Sequence, residues 1–292
     1  MEITLRNGKK FHCQKNQTIF DSAREGGVFL EHSCLNARCR SCAVQILNGE
    51  TGDKVEDLVL SNDEKKKGMT LSCNAIALSD LLIDAKDLGD VLLYNKKIVP
   101  AKIDQLKLKN NEVLEVVLRL PPKSNFKYIS GQYVNIIKGS IKRSYSVANA
   151  FDENGKLHFF IKKYNGGEMS KYWFNEAKVN DLLRIEGPLG CFFIRESEKD
   201  NIIFLATGTG IAPVKAILED IEKNNKVKKM NKSIWIFNGA CYSKDFIWNS
   251  HQLLLENTKY IPVTSRENSE GVNEKKYVQD AVLQSGIDLT NS

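Results

Sequence analysis

Cys34-Leu35-Asn36-Ala37-Arg38-Cys39-Arg40-Ser41-Cys42 sets three cysteines in a C-x4-C-x2-C loop, and Cys73 supplies a fourth thiol farther along the chain. Four thiolates at this spacing hold a [2Fe–2S] cluster, which moves electrons one at a time. Zinc is the competing metal, but structural zinc sites usually pair two C-x2-C knuckles. A Rieske centre needs two histidine ligands, and no histidine stands in a C-x-H arrangement here. A loop this rich in cysteine can wrap a cluster so that backbone N–H groups point at its sulfides and help set its potential.

Around the loop, Glu2 to Leu5 and Lys10 to Cys13 read as strands either side of the Asn7-Gly8 turn. Thr18 opens a helix that Gly26-Gly27 stops, and Ala43 to Leu47 reads as a strand. This small, mostly β segment ends near Ala85, and a connector of about Lys86 to Lys97 follows. Next come closely spaced strand-like stretches at Ile98 to Ile103, Val113 to Leu118, Tyr133 to Ile137, Ser144 to Val147, Leu157 to Lys162 and Leu182 to Glu186. With one helical stretch, Ser170 to Glu176, they suggest an antiparallel barrel. The last segment changes character. Asn201 to Ala206 is a continuous apolar run expected of a strand buried on both faces, followed by a glycine turn, a helix of about Ala212 to Lys223 and another buried strand, Ser233 to Phe237. That alternation implies a parallel sheet of nucleotide-binding type.

Composition narrows the class. The 292 residues allow two or three domains, and 42% hydrophobic with 27% charged residues fits a globular chain. No apolar run approaches a membrane span, and the N-terminus lacks the basic start and apolar stretch of a signal peptide. The expectation is a cytoplasmic protein with no membrane partner. The net charge of +6 is spread out, its densest runs being Lys65-Lys66-Lys67 and Lys226 to Lys229. Neither run has interleaved aromatics for base stacking, which argues against nucleic acid; solvated surface or an acidic protein partner remain. Seven cysteines in such a chain are not a disulfide framework, and Cys13, Cys191 and Cys241 read as ordinary reduced thiols.

Arg143-Ser144-Tyr145-Ser146, preceded by Gly131-Gln132-Tyr133, resembles the R-x-Y-S/T flavin motif of the ferredoxin–NADP⁺ reductase superfamily. The resemblance implies that Arg143 pairs with a flavin diphosphate, Tyr145 stacks on the isoalloxazine and Ser146 hydrogen-bonds near flavin N5, so that Tyr145 and Ser146 border the chemistry. Residues two apart on a strand share a face, so Arg143 and Tyr145 can reach one ligand. Gly167-Glu168-Met169-Ser170 stands where the family has its G-x-x-S/T phosphate turn, making Gly167, Met169 and Ser170 further FAD contacts, although a plain helix cap or hairpin turn has the same letters. Gly208-Thr209-Gly210-Ile211-Ala212-Pro213, after the apolar strand, matches the family's NAD(P) motif. Ser265, Arg266 and Tyr277, the last beside Lys275-Lys276, resemble 2′-phosphate and adenine contacts and lean toward NADPH over NADH. Surface charge explains them equally well, and Cys241 stands where many relatives carry arginine. In plant-type ferredoxins position 37 is glycine; an alanine there costs on the order of 1 kcal/mol if the loop demands positive φ. Arg38 and Arg40 are surface charge, or else they tune the cluster or dock an acidic partner.

The resemblance covers essentially the whole chain. It implies a β-grasp-like α+β [2Fe–2S] domain over residues 1–86, an antiparallel β-barrel FAD domain over 97–196 and an α/β parallel-sheet NAD(P) domain over 198–292. The family's final strand, C-G-x-x-x-M turn and helix are expected beyond Ser292, so the third domain reads as incomplete. Nicotinamide gives two electrons as hydride, a flavin takes both and releases them singly, and the cluster hands them on. Leu118 to Pro122, Arg143 to Ala150 and Arg184 to Gly190 are similar to the CDP-6-deoxy-glucoseen reductases of bacterial dideoxysugar synthesis, which feed a sugar dehydrase. The alternatives are the reductase component of a multicomponent oxygenase and an electron carrier without hydride chemistry.

Overall fold

The computed structural model describes residues 1–56, 59–89, 94–224, 232–249, 255, 257–267 and 277–292. It divides into two compact units, Met1–Leu93 and Tyr94–Ser292.

In the first unit, β1 (Glu2–Leu5) and β2 (Lys10–His12) form a hairpin, and β1 pairs in parallel with β7 (Leu81–Asp84). β3 (Ala43–Asn48) lies antiparallel between β7 and β5 (Met69–Leu71), giving the mixed order β2-β1-β7-β3-β5. β4 (Thr51–Asp53) and β6 (Ala75–Ala77) make a separate two-stranded ladder. Helix α1 (Ile19–Glu25) starts where the Thr18 hydroxyl accepts the Asp21 N–H at 3.1 Å, and ends at Gly26. Its apolar face, Ile19, Phe20 and Ala23, closes on Ile3, Leu5, Phe11, Leu81 and Ile83. Helix α1 across a mixed sheet is the β-grasp arrangement, and a short second helix, α2, spans Asn62–Lys66.

In the second unit, β8 (Lys97–Asn110), β9 (Val113–Arg119), β10 (Tyr133–Lys138), β11 (Ile141–Ser146), β12 (Lys156–Lys162) and β13 (Leu182–Leu189) form one antiparallel sheet, ordered β11-β10-β13-β8-β9-β12. The expected Ile98–Ile103 strand is only the first half of β8. Register shifts at Ile103/Gln105 and Leu108/Asn110 bend it, so its first half, Lys97–Lys102, pairs with β13 and its second half, Lys102–Asn110, pairs with β9. Curling encloses a core that includes Val116, Ile136, Phe159, Trp173 and Ile185. Gly131 (φ +101°), two residues before β10, lies against the backbone of Phe192, where a Cβ would stand 1.8 Å from the Phe192 carbonyl oxygen. The helical stretch expected over Ser170 to Glu176 starts two residues earlier and is irregular: α3 (Glu168–Lys171) gives way to a π-helical turn, Tyr172–Glu176, that buries Tyr172 and Trp173.

Three parallel strands complete this unit: β14 (Asn201–Thr207), β15 (Ser233–Ala240) and β16 (Thr258–Thr264), in that order. Helix α4 (Ile211–Lys223) covers β14, and α5 (Val278–Leu283) packs against β14 and β15. The β14 run is not buried on both faces as expected. Leu205 is 46% exposed, because α4 covers the face that carries Phe204 and Ala206 while α5, on the other face, packs on Ile203 and not on Leu205.

Candidate functional site

The cysteine loop is shaped by three residues of positive φ that are not glycine: Leu35 (53°), Ala37 (58°) and Arg40 (62°). These left-handed turns aim backbone N–H groups inward. Those of Asn36 and Arg38 reach the Cys34 sulfur at 3.5 and 3.4 Å, and that of Cys34 reaches the Cys39 sulfur at 3.3 Å. Among the described residues no three His, Cys, Asp or Glu side chains converge as around a single metal ion. The thiols instead lie in two pairs, Cys34 with Cys39 and Cys42 with Cys73, the latter sulfurs 3.2 Å apart.

Two pairs of thiols are the donor set that two irons require, and the inward N–H groups suit the negative charge of such a cluster. Burial opposes ionisation of Cys39, but the Cys34 N–H and the Ser41 hydroxyl outweigh it and bring the thiol down to about 7. The Cys42 thiol donates to Cys73 and, against burial, lowers that thiol to about 7, while Cys42 itself is pushed up. Half the set is therefore already inclined to ionise near neutral pH. Cys42 is buried and Cys39 is exposed, so the loop has an inner and an outer edge. Arg40 does not stand free beside Cys39. It pairs with Glu64 and donates to the Val59 carbonyl at 3.0 Å, while Ser61 and Glu64 form a reciprocal cap on the short helix Asn62–Lys66. Arg38 stays exposed at the rim.

The flavin motif lies on β11. Arg143 is exposed, its guanidinium donating to the Lys142 carbonyl at 2.8 Å, and Tyr145 is half-buried. Sequence reasoning missed the group that holds Tyr145. The Trp173 indole N–H donates to the Tyr145 hydroxyl at 3.2 Å, with the rings edge-on at 6.4 Å. Burial raises the Tyr145 pKa, so the phenol stays protonated. Trp173 stands three residues after Ser170 of the Gly167–Ser170 turn, and only that proximity in sequence hinted at it. Within the turn, the Ser170 hydroxyl accepts the Tyr164 N–H at 2.9 Å, Met169 is buried in the barrel core, and no side chain caps the first turn of α3. Met169 and its neighbours can thus offer a ligand backbone N–H groups rather than side chains. Ser146 ends β11 opposite Tyr133.

Gly208, Thr209 and Gly210 form a tight turn between β14 and α4, with no side chain capping the helix start. A Cβ at Gly208 or Gly210 would meet nothing within 4 Å, so protein packing does not require these glycines. Open space before uncapped N–H groups of a 13-residue helix fits a pyrophosphate. Parallel register aligns Thr207 with Gly239 and Ala240 with Thr264, so the turn and Ser265-Arg266 lie along the same carboxyl edge of the sheet. The Ser265 and Arg266 N–H groups donate to the carbonyls of Ala240 and Cys241, each at 3.0 Å, leaving the Arg266 side chain exposed. Tyr277 precedes α5 and is exposed. Lys275, Lys276 and the Lys226 to Lys229 run lie outside the described residues.

A two-by-two thiol loop, a barrel with an aromatic–arginine strand and a parallel sheet with a glycine turn define an iron–sulfur flavoprotein oxidoreductase. Residues 3–78 match the 2Fe-2S iron-sulfur cluster binding domain, 100–194 the oxidoreductase FAD-binding domain and 204–292 the oxidoreductase NAD-binding domain. The chain is 35% identical over 286 residues to the CDP-6-deoxy-L-threo-D-glycero-4-hexulose-3-dehydrase reductase of Yersinia pseudotuberculosis, covering 97% of this chain and 85% of that protein. It is 35% identical over 280 residues to Protein RfbI of Salmonella typhimurium, covering 94% and 81%. The reductase component DmpP of a Pseudomonas phenol 2-monooxygenase is 27% identical over 291 residues, covering 94% and 79%. The fold is shared with the Amycolatopsis cytochrome P450 reductase GcoB (TM-score 0.71, 23% identity, covering 98% and 87%). The chain belongs to this family of single-chain reductases: it is an NAD(P)H oxidoreductase that moves electrons through FAD and a [2Fe–2S] cluster. No helix among the described residues is long and apolar enough to cross a membrane.

Proposed function

We propose that the chain is the cytoplasmic reductase of a nucleotide-sugar pathway and passes single electrons to a CDP-deoxysugar 3-dehydrase. The observation that carries this reading is the 35% identity to a dehydrase reductase over 97% of the chain. A second reading, the reductase component of an oxygenase, is favoured by the 27% identity to a phenol monooxygenase reductase over 94% of the chain. Cys34, Cys39, Cys42 and Cys73 would hold the cluster. Arg143, Tyr145, Ser146, Gly167, Met169 and Ser170 hold FAD, and Gly208, Thr209, Gly210, Ser265, Arg266 and Tyr277 hold the dinucleotide. The domains run 1–86, 97–196 and 198–292. The exposed Arg266 guanidinium at the sheet's carboxyl edge favours NADPH over NADH.

When bound, the nicotinamide supplies hydride, the flavin separates its two electrons and the cluster delivers them singly. The chain's own residues orient and exclude water: Tyr145, held by Trp173, presents a fixed ring, and the Gly208–Gly210 turn presents backbone donors. No side-chain acid or base is needed, so positioning carries the rate. Anaerobic titration of the reconstituted holoprotein with NADPH and NADH, followed at visible wavelengths, tests the reductase. Supplying the reduced protein to a CDP-6-deoxyhexulose 3-dehydrase and to a phenol hydroxylase tests the acceptor. Faster turnover with the hydroxylase would reject the dehydrase reading.

A further inference from the structure

One stripe of α4 is fastened to the segment that runs on from the flavin strand. Lys215, Glu219 and Lys223 recur at four-residue intervals and so share a face of the helix. The Lys215 ammonium donates to the Ala148 carbonyl at 2.8 Å, the Ala150 N–H donates to the Glu219 carboxylate at 3.0 Å, and the Lys223 ammonium donates to the Phe151 carbonyl at 3.1 Å. Lys215 and Glu219 also pair with each other, and the Lys215 side chain is only 13% exposed. The segment they read begins two residues after Ser146.

The other side of that segment is equally fixed. The Tyr128 hydroxyl donates to the carbonyls of Asn149 and Ala150, both at 3.0 Å. The Asn149 amide donates to the Lys156 carbonyl at 3.1 Å, and its oxygen accepts the His158 N–H at 2.8 Å. Ala148 itself is wholly buried among Phe204, Ile211 and Ala212. Apolar packing would hold helix and barrel together while allowing them to slide, because it is not directional. Hydrogen bonds to successive backbone groups fix register, and a charged donor to a buried carbonyl strengthens that restraint.

We infer that Lys215 and Glu219 are positioning residues for hydride transfer. They lock the helix that opens at the Gly208–Gly210 turn to the strand that carries Arg143, Tyr145 and Ser146, and so set the approach of the two bound cofactors. The inference rests on reading these two elements as the nicotinamide and flavin sites. Neither side chain touches a reacting atom; both act through the backbone of Ala148–Ala150. Hydride transfer is sensitive to such registry, since a displacement near 1 Å can cost up to about 100-fold in rate.

The experiment uses the FAD- and cluster-loaded holoprotein with K215M, K215R and E219A. Hydrogen exchange should speed up at Ala148–Phe151 in K215M and E219A. Their limiting rate of flavin reduction in anaerobic stopped flow should fall on the order of tenfold or more. The nucleotide concentration giving half the limiting rate should stay within about twofold. K215R, which keeps donors, should recover most of the rate. If exchange speeds up while the limiting rate holds, or if K215R is as slow as K215M, the inference is wrong. Should K215M fail to fold, E219A carries the same comparison. A wild-type protein that retains FAD but is not reduced by either nucleotide sinks the reductase reading instead.

Discussion

Replacing Ala37 with glycine tests whether the cluster loop depends on left-handed backbone or on packing. Ala37 sits at φ 58°, a conformation that costs a residue with Cβ about 1–2 kcal/mol. Glycine would relieve that strain. Yet the Ala37 methyl is 8% exposed and packs against Cys42, Leu60 and Leu71. Losing it costs about 0.8 kcal/mol of burial, and glycine's freer unfolded chain costs a further 0.4–1 kcal/mol or so. The opposing contributions nearly cancel, so A37G should change stability by less than about 1 kcal/mol. A37V keeps the strain, adds a β-branch and overfills the pocket, and should destabilise by roughly 2 kcal/mol or more. The assay is guanidinium-induced bleaching of the visible cluster band in the reconstituted holoprotein, with far-ultraviolet circular dichroism in parallel. An A37G shift beyond about 2 kcal/mol in either direction, or an A37V indistinguishable from wild type, would refute the reasoning.

Three further outcomes follow from other parts of the chain. G131A forces a Cβ into the Phe192 carbonyl, 1.8 Å away, at a φ of +101°, and should cost at least about 3 kcal/mol; a melting point within about 2 °C of wild type would contradict this. Burial alone would raise the Glu186 pKa, but Lys142, Asn135 and Lys96 outweigh it and hold the carboxyl down at about 2. Its folded value is depressed, so its contribution is present above the ordinary carboxylate range and is lost as pH falls toward 2. E186Q should therefore cost on the order of 2–3 kcal/mol at pH 7, with the gap to wild type closing between about pH 5 and 2 in thermal unfolding; a gap that ignores pH rejects the account. Finally, exposed Arg38 borders exposed Cys39, and Arg40 ties the loop to the helix bearing Lys65 and Lys66. Reduced holoprotein should pass electrons to anionic ferricyanide several-fold faster than R38E/K66E does at low ionic strength, with the opposite order for hexaamminecobalt(III); equal effects on both probes would rule out a basic exit surface.

The sites were legible where chemistry dictates local sequence. On the proposed reading, thiol spacing, a glycine turn after an apolar strand and alternation along β11 each answer to a ligand larger than the motif that would meet it, so they stand as short readable patterns. What could not be read depends on partners distant in sequence. Trp173 meets Tyr145 across 28 residues, Arg40 meets Glu64 across 24, and Lys215 meets Ala148 across 67. None of these pairs carries a spacing rule. The bend of β8 was hidden for a related reason: its register shifts answer to barrel closure, not to any feature of Ile103 or Leu108 themselves. The exposure of Leu205 on β14 defeated hydropathy because an apolar run reads the same whether its second face is covered in full or in part.

The two kinds of transfer in this chain ask for different degrees of precision, and its bonds are distributed accordingly. A single electron leaving the cluster needs proximity and a suitable potential, and at the proposed cluster site the backbone N–H groups that reach the Cys34 and Cys39 sulfurs bear on the potential. Hydride transfer needs two rings held in near contact, with water kept out. On the proposed reading the second unit meets that demand with polar ties: Lys215 and Glu219 from α4 and Tyr128 and Asn149 from the barrel bond to backbone, and the Trp173 indole donates to the Tyr145 hydroxyl. Tyr145 stays protonated because it is buried, so its value lies in where the ring is held rather than in proton exchange. In such a design, substitutions that loosen these polar ties should slow flavin reduction long before they unfold the barrel. Substitutions around the thiol loop should instead govern how long the cluster survives.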